Sequence, residues 1–408
     1  MSSPIEVYSE IGRLRRVLLH RPGAELENLV PEYLEQLLFD DIPDLQMARQ
    51  EHDAFAALLR QHGVEVVYLL DLMAESLTEP EVRDQFIDDF LADARITTDR
   101  EREALREYLR AMELKPMVSA MMAGVRKDEL PRSQSLGDFL RHLEGGYPFA
   151  LDPIPNLYFT RDPFAAIGPG VSIHRMFSAT RQRETLFAQY LFAHHPVYRS
   201  VPVFYQRDES FPIEGGDILV LSPETLAVGI SQRTHENAIE RFARRVLTDE
   251  SGFREILAFN IPKQRSFMHL DTVFTMVDRD AFTVHPNILR EMDVFVLTRA
   301  GAEVHITQES GSLEQILQRH LHLDQVRLLR CGSRNTIDAA REQWNDGSNT
   351  LAIAPGQVVV YSRNRVTNAL LRENGIEVLE MPSSELSRGR GGPRCMSMPL
   401  LRDAVSNQ

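Results

Sequence analysis

The sequence predicts an α/β fold of repeated β-hairpin-plus-helix units, stacked or closed into a ring and interrupted by an all-helical insertion. Three observations predict it. Four segments share one plan of polar residues, a β run, a turn and a second β run: 160–175, 214–231, 269–286 and 349–364. Their turns are Pro-Gly, Pro-Glu, Arg-Asp and Pro-Gly, all compatible with hairpins. Residues 58–69 (LLRQHGVEVVYL) recur as 370–381 (LLRENGIEVLEM), a helix end, a glycine stop and a buried strand used twice. Residues 75–147, by contrast, carry helical patterns and no strand signal.

Taken in order, Val17, Leu18 and Leu19 form a short buried strand closed by Pro22 and Gly23. Between Asp44 and His62 the residues Leu45, Ala48, His52, Phe55, Leu58 and Leu59 recur at helical spacing, and Gly63 is placed to stop that helix. Residues 64–69 then alternate and run apolar, as a strand does. In the insertion, Thr78 and Pro80 open a helix with Val82, Phe86, Ile87, Phe90 and Leu91 on one face. Thr98 and Glu101 have capping-box spacing before Leu105, Tyr108, Leu109 and Met112. Pro116 opens a third apolar segment ending at Gly124, and residues 135–143 suggest a fourth helix. Helical stretches at 181–193, 235–247 and 364–373 follow the hairpins. The strand at 14–20 and its helix are expected to form a fifth unit with the C-terminus. The domain division is therefore a main domain of residues 1–74 and 148–408, and a helical insertion of residues 75–147.

The 408 residues are 43% hydrophobic and 25% charged, ordinary for a chain that buries a large core. A formal charge of −14 disfavours nucleic acid as a partner. Two cysteines make no disulfide framework, which points to a reducing compartment. Residues 1–20 hold no apolar run of signal-peptide type, and no stretch approaches a membrane span. The expectation is a cytoplasmic protein that contacts no membrane.

Chemistry gathers where the hairpins begin and near the C-terminus. Cys395 follows three arginines and three glycines within residues 388–394. Adjacent positive charge, Arg394 above all, is expected to favour a thiolate. Asp162 follows Thr160-Arg161 and precedes Pro163; Glu214 precedes Gly215, Gly216 and Asp217. His269 and Asp271, one residue apart, would share a face if they lay on a strand. Singly, each reads equally well as a turn former, a bulge neighbour or a core histidine. Together they supply a nucleophile, a base and carboxylates at equivalent places in repeats, which a ring would bring to one axis. Carboxylates around a thiol suit a planar guanidinium, which pairs with them through two hydrogen bonds and carries an electrophilic carbon. The residues lack the local spacing of a metal site.

FTRDP (159–163), EGGD (214–217), HLDTVFT (269–275) and CMSMPL (395–400) occur in this order, with LLHRPG (18–23) and LLFDDIP (37–43) before them. In these motifs, and over essentially its whole length, the sequence resembles the arginine deiminases, a family of guanidino-group-modifying enzymes. The resemblance implies a five-bladed pseudo-symmetric α/β propeller of ββαβ-type repeats. It implies hydrolysis of L-arginine to L-citrulline and ammonia through an S-alkylthiouronium on Cys395, without metal or cofactor. It makes His269 the general acid/base, Glu214 its partner, and Asp162 and Asp271 the pair that grips the guanidinium. It assigns Asn156, Arg181 and Arg233 to the α-amino and α-carboxylate end of the substrate, and Arg390 to a mobile loop near the same carboxylate. Residues 39–43 would form the other side of that lid. The family often has His before the nucleophile, where this chain has Arg394. A homo-oligomer, dimer or higher, is implied. An amidinotransferase of the same superfamily and a non-catalytic arginine-binding relative are the alternatives. Cys331 and Trp344 are expected to be packing residues.

Overall fold

The computed structural model describes residues 3–96, 98–130, 147–286, 288, 292–333 and 335–405, so the helix expected at 135–143 lies outside the described residues. Five three-stranded units share one pairing plan. An antiparallel hairpin is followed by a helix, and the helix returns the chain to a third strand parallel to the hairpin's second strand. A parallel pairing needs such a crossover, and a helix is its usual form.

One unit pairs Phe164–Ile167 with Gly170–Ile173, then adds Val203–Tyr205 after the helix Glu184–His194. The next pairs Ile218–Val220 with Thr225–Ile230 and adds Glu255–Asn260 after Glu236–Val246. A third pairs Phe274–Met276 with Ala281–Val284 and adds Arg327–Arg330 after Leu313–Leu321. A fourth pairs Leu351–Ala354 with Gln357–Tyr361 and adds Glu377–Met381 after Arg365–Glu373. The remaining unit draws on both ends of the chain. Met398–Arg402 pairs antiparallel with Leu14–Leu19, and Glu65–Tyr68 lies parallel to the latter after the helix Leu45–Gln61. A further hairpin, Asp293–Ala300 with Glu303–Gln308, extends the sheet of Glu255–Asn260 at its edge. Its second strand is largely exposed, so it lacks the clean inside–outside alternation that announces a strand in sequence.

Local signals explain the crossover at Leu45–Gln61. Asp44 accepts a hydrogen bond from the Met47 amide and caps its start. Gly63, at φ 80°, ends it in a left-handed conformation. Leu45, Ala48, His52, Phe55 and Leu59 are buried on the face that the spacing predicts.

The insertion contains the helices Pro80–Ala92, Asp99–Arg110 and Leu114–Ala123, preceded by Leu69–Ser76. Thr98 caps Asp99–Arg110 by accepting from the Glu101 amide at 3.2 Å. Phe86 and Phe90 meet Phe187 of the helix Glu184–His194 with ring centroids 5.8 Å apart in each pair, and Phe86 meets Tyr190 edge-on at 4.8 Å. One buried apolar cluster runs through both parts. The expectation that 75–147 holds no strand needs correction, since Val125–Arg126 pairs with Phe149–Leu151. Two residues are too few to show alternation. No helix among the described residues is long and apolar enough to cross a membrane.

Candidate active site

Each unit contributes from the same place, the few residues just before its first hairpin strand. Asp162 precedes Phe164–Ile167, and Glu214 and Asp217 precede Ile218–Val220. His269 and Asp271 precede Phe274–Met276, Asp346 and Asn349 precede Leu351–Ala354, and Arg394 and Cys395 precede Met398–Arg402. The same-face argument for His269 and Asp271 needs correction. They lie not on a strand but at a single helical turn, Leu270–Thr272, begun at His269. Asp217 fixes that turn by accepting from the Leu270 amide at 2.8 Å, while Ser231 and Thr234 hydroxyls donate to its other oxygen at 2.7 and 2.6 Å. Gly216 is needed here, because a Cβ there would stand 2.5 Å from His269 Nδ1.

His269 Nε2 lies 2.8 Å from Glu214 Oε2, and its Nδ1 lies 3.8 Å from Asp162 Oδ1. All three side chains are buried. Burial alone would push the imidazolium down. The Asp162 charge and the Glu214 hydrogen bond outweigh it and hold His269 up to about 9. Burial would likewise raise the Glu214 carboxyl, but Arg233, 3.8 Å away, and His269 bring it down to about 2. The pair is thus imidazolium and carboxylate at neutral pH. The ligand atoms of Asp162, Glu214 and His269 lie within 4.8 Å of one another, and the His269–Glu214 bond already joins two of the three.

Cys395 is buried with its Sγ 3.7 Å from Asp271 Oδ2. Its amide donates to Asn349 Oδ1 at 3.1 Å, and its carbonyl accepts from the Arg161 amide at 3.1 Å. The expectation of a favoured thiolate is overturned. Burial, then Asp271, Asp162 and Asp346, push the thiol well above its ordinary value, and Arg394 offsets this only in part. The arginines of the loop are turned elsewhere. Arg394 pairs with Glu10 and Asp271. Arg388 pairs with Asp41 and Glu385. Arg390 stacks on Trp344 with its guanidinium carbon 3.5 Å from the ring centroid.

Two carboxylates face the thiol half-used. Asp162 Oδ2 accepts from Arg181 at 2.8 Å, and Asp271 Oδ2 accepts from Arg394 at 2.7 Å. The other oxygen of each, Asp162 Oδ1 and Asp271 Oδ1, is buried without a hydrogen-bond donor among the described residues. A buried carboxylate oxygen left so is costly unless something arrives to satisfy it.

The four residues assigned to the far end of a substrate fall as follows. Asn156 is buried, its amide donating to the Leu37 carbonyl at 2.9 Å. Arg181 is committed to Asp162 and to both oxygens of Glu184, at 2.9 and 2.8 Å. Arg233 lies between Glu214 and the exposed ring of Phe177. Arg390 sits at φ 61°, 3.8 Å from Asp40. Within residues 39–43 Asp41 pairs with Arg388, and just beyond them the Asp44 amide donates to Glu385 at 2.9 Å. Glu51 holds the base of that loop, accepting from the amides of Ser384, Glu385 and Leu386 at 2.6, 3.0 and 2.9 Å.

Glu10, Glu184 and Asp346 belong to the site's surroundings and were not singled out from sequence. Glu184 carried a signal, its spacing of three from Arg181 on a helix start. Asp346 is buried, and burial and then Asp271 push its carboxyl up to about 7 against the pull of Arg390. Trp344 is exposed rather than packed inside, its face taken by Arg390. Cys331 is fully buried with its Sγ 3.3 Å from Thr367 Oγ1, as a structural cysteine would be.

The fold and site together describe an α/β protein that gathers a buried cysteine, a histidine–carboxylate pair and two half-paired aspartates. The fold is shared with SxtG, an amidinotransferase from Microseira wollei, at TM-score 0.54 and 14% identity, covering 99% of both chains. It is shared also with a dimethylarginine dimethylaminohydrolase from Pseudomonas aeruginosa solved with citrulline, at TM-score 0.51 and 13% identity, covering 95% of this chain and 99% of the other. The particular family comes from sequence. Residues 35–402 match the arginine deiminase family, and arginine deiminases of Streptococcus pyogenes are 54% identical over 407 residues, 99% of each chain. The chain belongs to the arginine deiminase family.

Proposed function

We infer that the chain hydrolyses L-arginine to L-citrulline and ammonia. One observation carries the reading: Asp162 Oδ1 and Asp271 Oδ1, both buried and without a hydrogen-bond donor among the described residues, belong to the two carboxylates whose charges act most strongly on Cys395. A guanidinium supplies the missing N–H groups, in the plane and spacing that carboxylates accept. It also supplies the missing charge. Three carboxylates hold the thiol protonated, and a cation arriving between two of them offsets their field. The substrate thereby helps to make its own nucleophile.

As the guanidinium settles between the carboxylates, the Cys395 proton passes to solvent, to end on the ammonia released, and the thiolate sulfur attacks the guanidinium carbon. His269, already an imidazolium, protonates the departing nitrogen, and ammonia leaves. An S-alkylthiouronium remains on Cys395. The now neutral His269 takes a proton from water, the hydroxide adds to the same carbon, and collapse releases citrulline and the thiol. Glu214 holds the imidazole in place through both steps and stabilises its charged form. Asp162 and Asp271 keep the reacting carbon oriented. Asn156, Arg233 and Arg390 serve the amino-acid end of the substrate. Arg181 acts through Asp162, which it already grips.

On the same reading the five units close into a five-bladed propeller made by residues 1–74 and 148–408, with 75–147 inserted. The support is that every unit contributes to one site from the same position.

The test is incubation with L-arginine. Citrulline and ammonia should appear one for one. Ammonia without citrulline would sink the reading, and guanidinoacetate formed on adding glycine would make the enzyme a transferase. A pH prediction follows from the acid/base pair. Activity should fall as His269 loses its proton near pH 9. Glu214→Gln removes a raising influence, so the alkaline limb of kcat/KM should move to lower pH. A limb that stays in place would detach Glu214 from His269.

A further inference from the structure

We propose that Glu10 and Arg394 are positioning residues that set the orientation of Asp271 for guanidinium recognition. The proposal rests on the arginine-hydrolysis reading and extends it to groups outside the reacting set. Arg394 is almost wholly buried and donates to three elements at once. Its Nη1 donates to Asp271 Oδ2 at 2.7 Å, and its Nη2 to the Ile218 carbonyl at 2.8 Å. Its Nε and Nη2 donate to the two oxygens of Glu10, each at 3.1 Å. Glu10 is itself anchored by the backbone. Its Oε1 accepts from the Val220 amide at 3.0 Å, and its own amide donates to the Val220 carbonyl at 2.7 Å. A continuous set of bonds thus runs from the strand Ile218–Val220 through Glu10 and Arg394 to Asp271.

The geometry gives this network a task. Arg394 occupies one Asp271 oxygen and leaves the other without a donor. It also prevents Asp271 Oδ2 from serving the thiol alone, which stands only 3.7 Å away. A planar, forked guanidinium can satisfy Glu10, Ile218 and Asp271 together, whereas an ammonium cannot span them. Glu10 offsets the buried charge of Arg394, so the pair adds orientation without leaving a lone cation under the site.

The test replaces both charges together, because removing one would strand the other in the interior. In the full-length chain carrying Cys395→Ala, the affinities of L-arginine and L-citrulline are measured by calorimetry with and without Glu10→Gln/Arg394→Met. Arginine presents a cation to Asp271, and citrulline presents a neutral urea of the same shape. The double substitution should weaken arginine by about tenfold or more, the range of a lost charge-assisted hydrogen bond, and citrulline much less. Arg394→Lys should recover part of the loss. Equal weakening of the two ligands, or no weakening of either, would overturn the role. Should the double variant fail to fold, Arg394→Lys decides alone, and it must also cost arginine more than citrulline. Citrulline missing from wild-type turnover while arginine still binds would sink the hydrolysis reading and leave this role standing. Failure of arginine to bind the Cys395→Ala parent would sink both.

Discussion

Cys395→Ser should release citrulline about 10⁵-fold more slowly than the native chain, or not at all, while still binding L-arginine. A guanidinium is a poor electrophile because resonance spreads its charge, so an anionic, polarisable nucleophile is needed. The Cys395 thiol is already hard to ionise where it lies, among burial and three carboxylates. A serine hydroxyl in the same field is far harder still, and the charge brought by the substrate cannot make up the difference. Asp162 and Asp271 are untouched by the change, so the grip on the substrate should survive. Citrulline assays and calorimetry on the same preparation check both halves. Turnover above about a tenth of native, or loss of binding in step with turnover, would remove Cys395 from the reaction.

His269→Ala should lower kcat by about two to four orders of magnitude, the usual worth of general acid–base help. The loss should exceed that of a single-role residue, because His269 acts first as acid and then as base. Its imidazolium persists up to about pH 9, so the acid is present at neutral pH before substrate arrives. Mass spectrometry of quenched protein separates the two roles. Without the acid, ammonia does not leave, and no adduct should accumulate on Cys395. A stable adduct in His269→Ala would show that another group protonates the leaving nitrogen. His269 would then serve only the second half of the reaction.

The repeat plan was legible because it is local. Hairpins declare themselves through apolar runs and turn residues, and Gly63 and Gly375, both at positive φ, mark two helix ends that recur in sequence. The clustering of Asp162, Glu214, His269, Asp271 and Cys395 was legible because their positions before the hairpins are equivalent. What the sequence could not carry is direction. Arg394 stands next to Cys395 in the chain but pairs with Glu10 and Asp271, and burial and three carboxylates outweigh its effect on the thiol, so adjacency misjudged it. Glu10 carries no pattern at all, since its meaning depends on a partner 384 residues away. Asp346 was hidden likewise, because the charges that act on it, Arg390 and Asp271, are remote in sequence.

The sheet that joins Leu14–Leu19 to Met398–Arg402 has a consequence for how the enzyme comes into being. During synthesis Glu214 and His269 emerge well before Cys395, so the growing chain carries the histidine–carboxylate pair before the cysteine exists. Cys395 lies three residues before Met398–Arg402, the strand that must find Leu14–Leu19. Joining strands over so long a span is slow, although the entropy cost of closing the loop grows only with the logarithm of its length. Catalytic competence should therefore arrive late and all at once, when the two ends of the polypeptide meet.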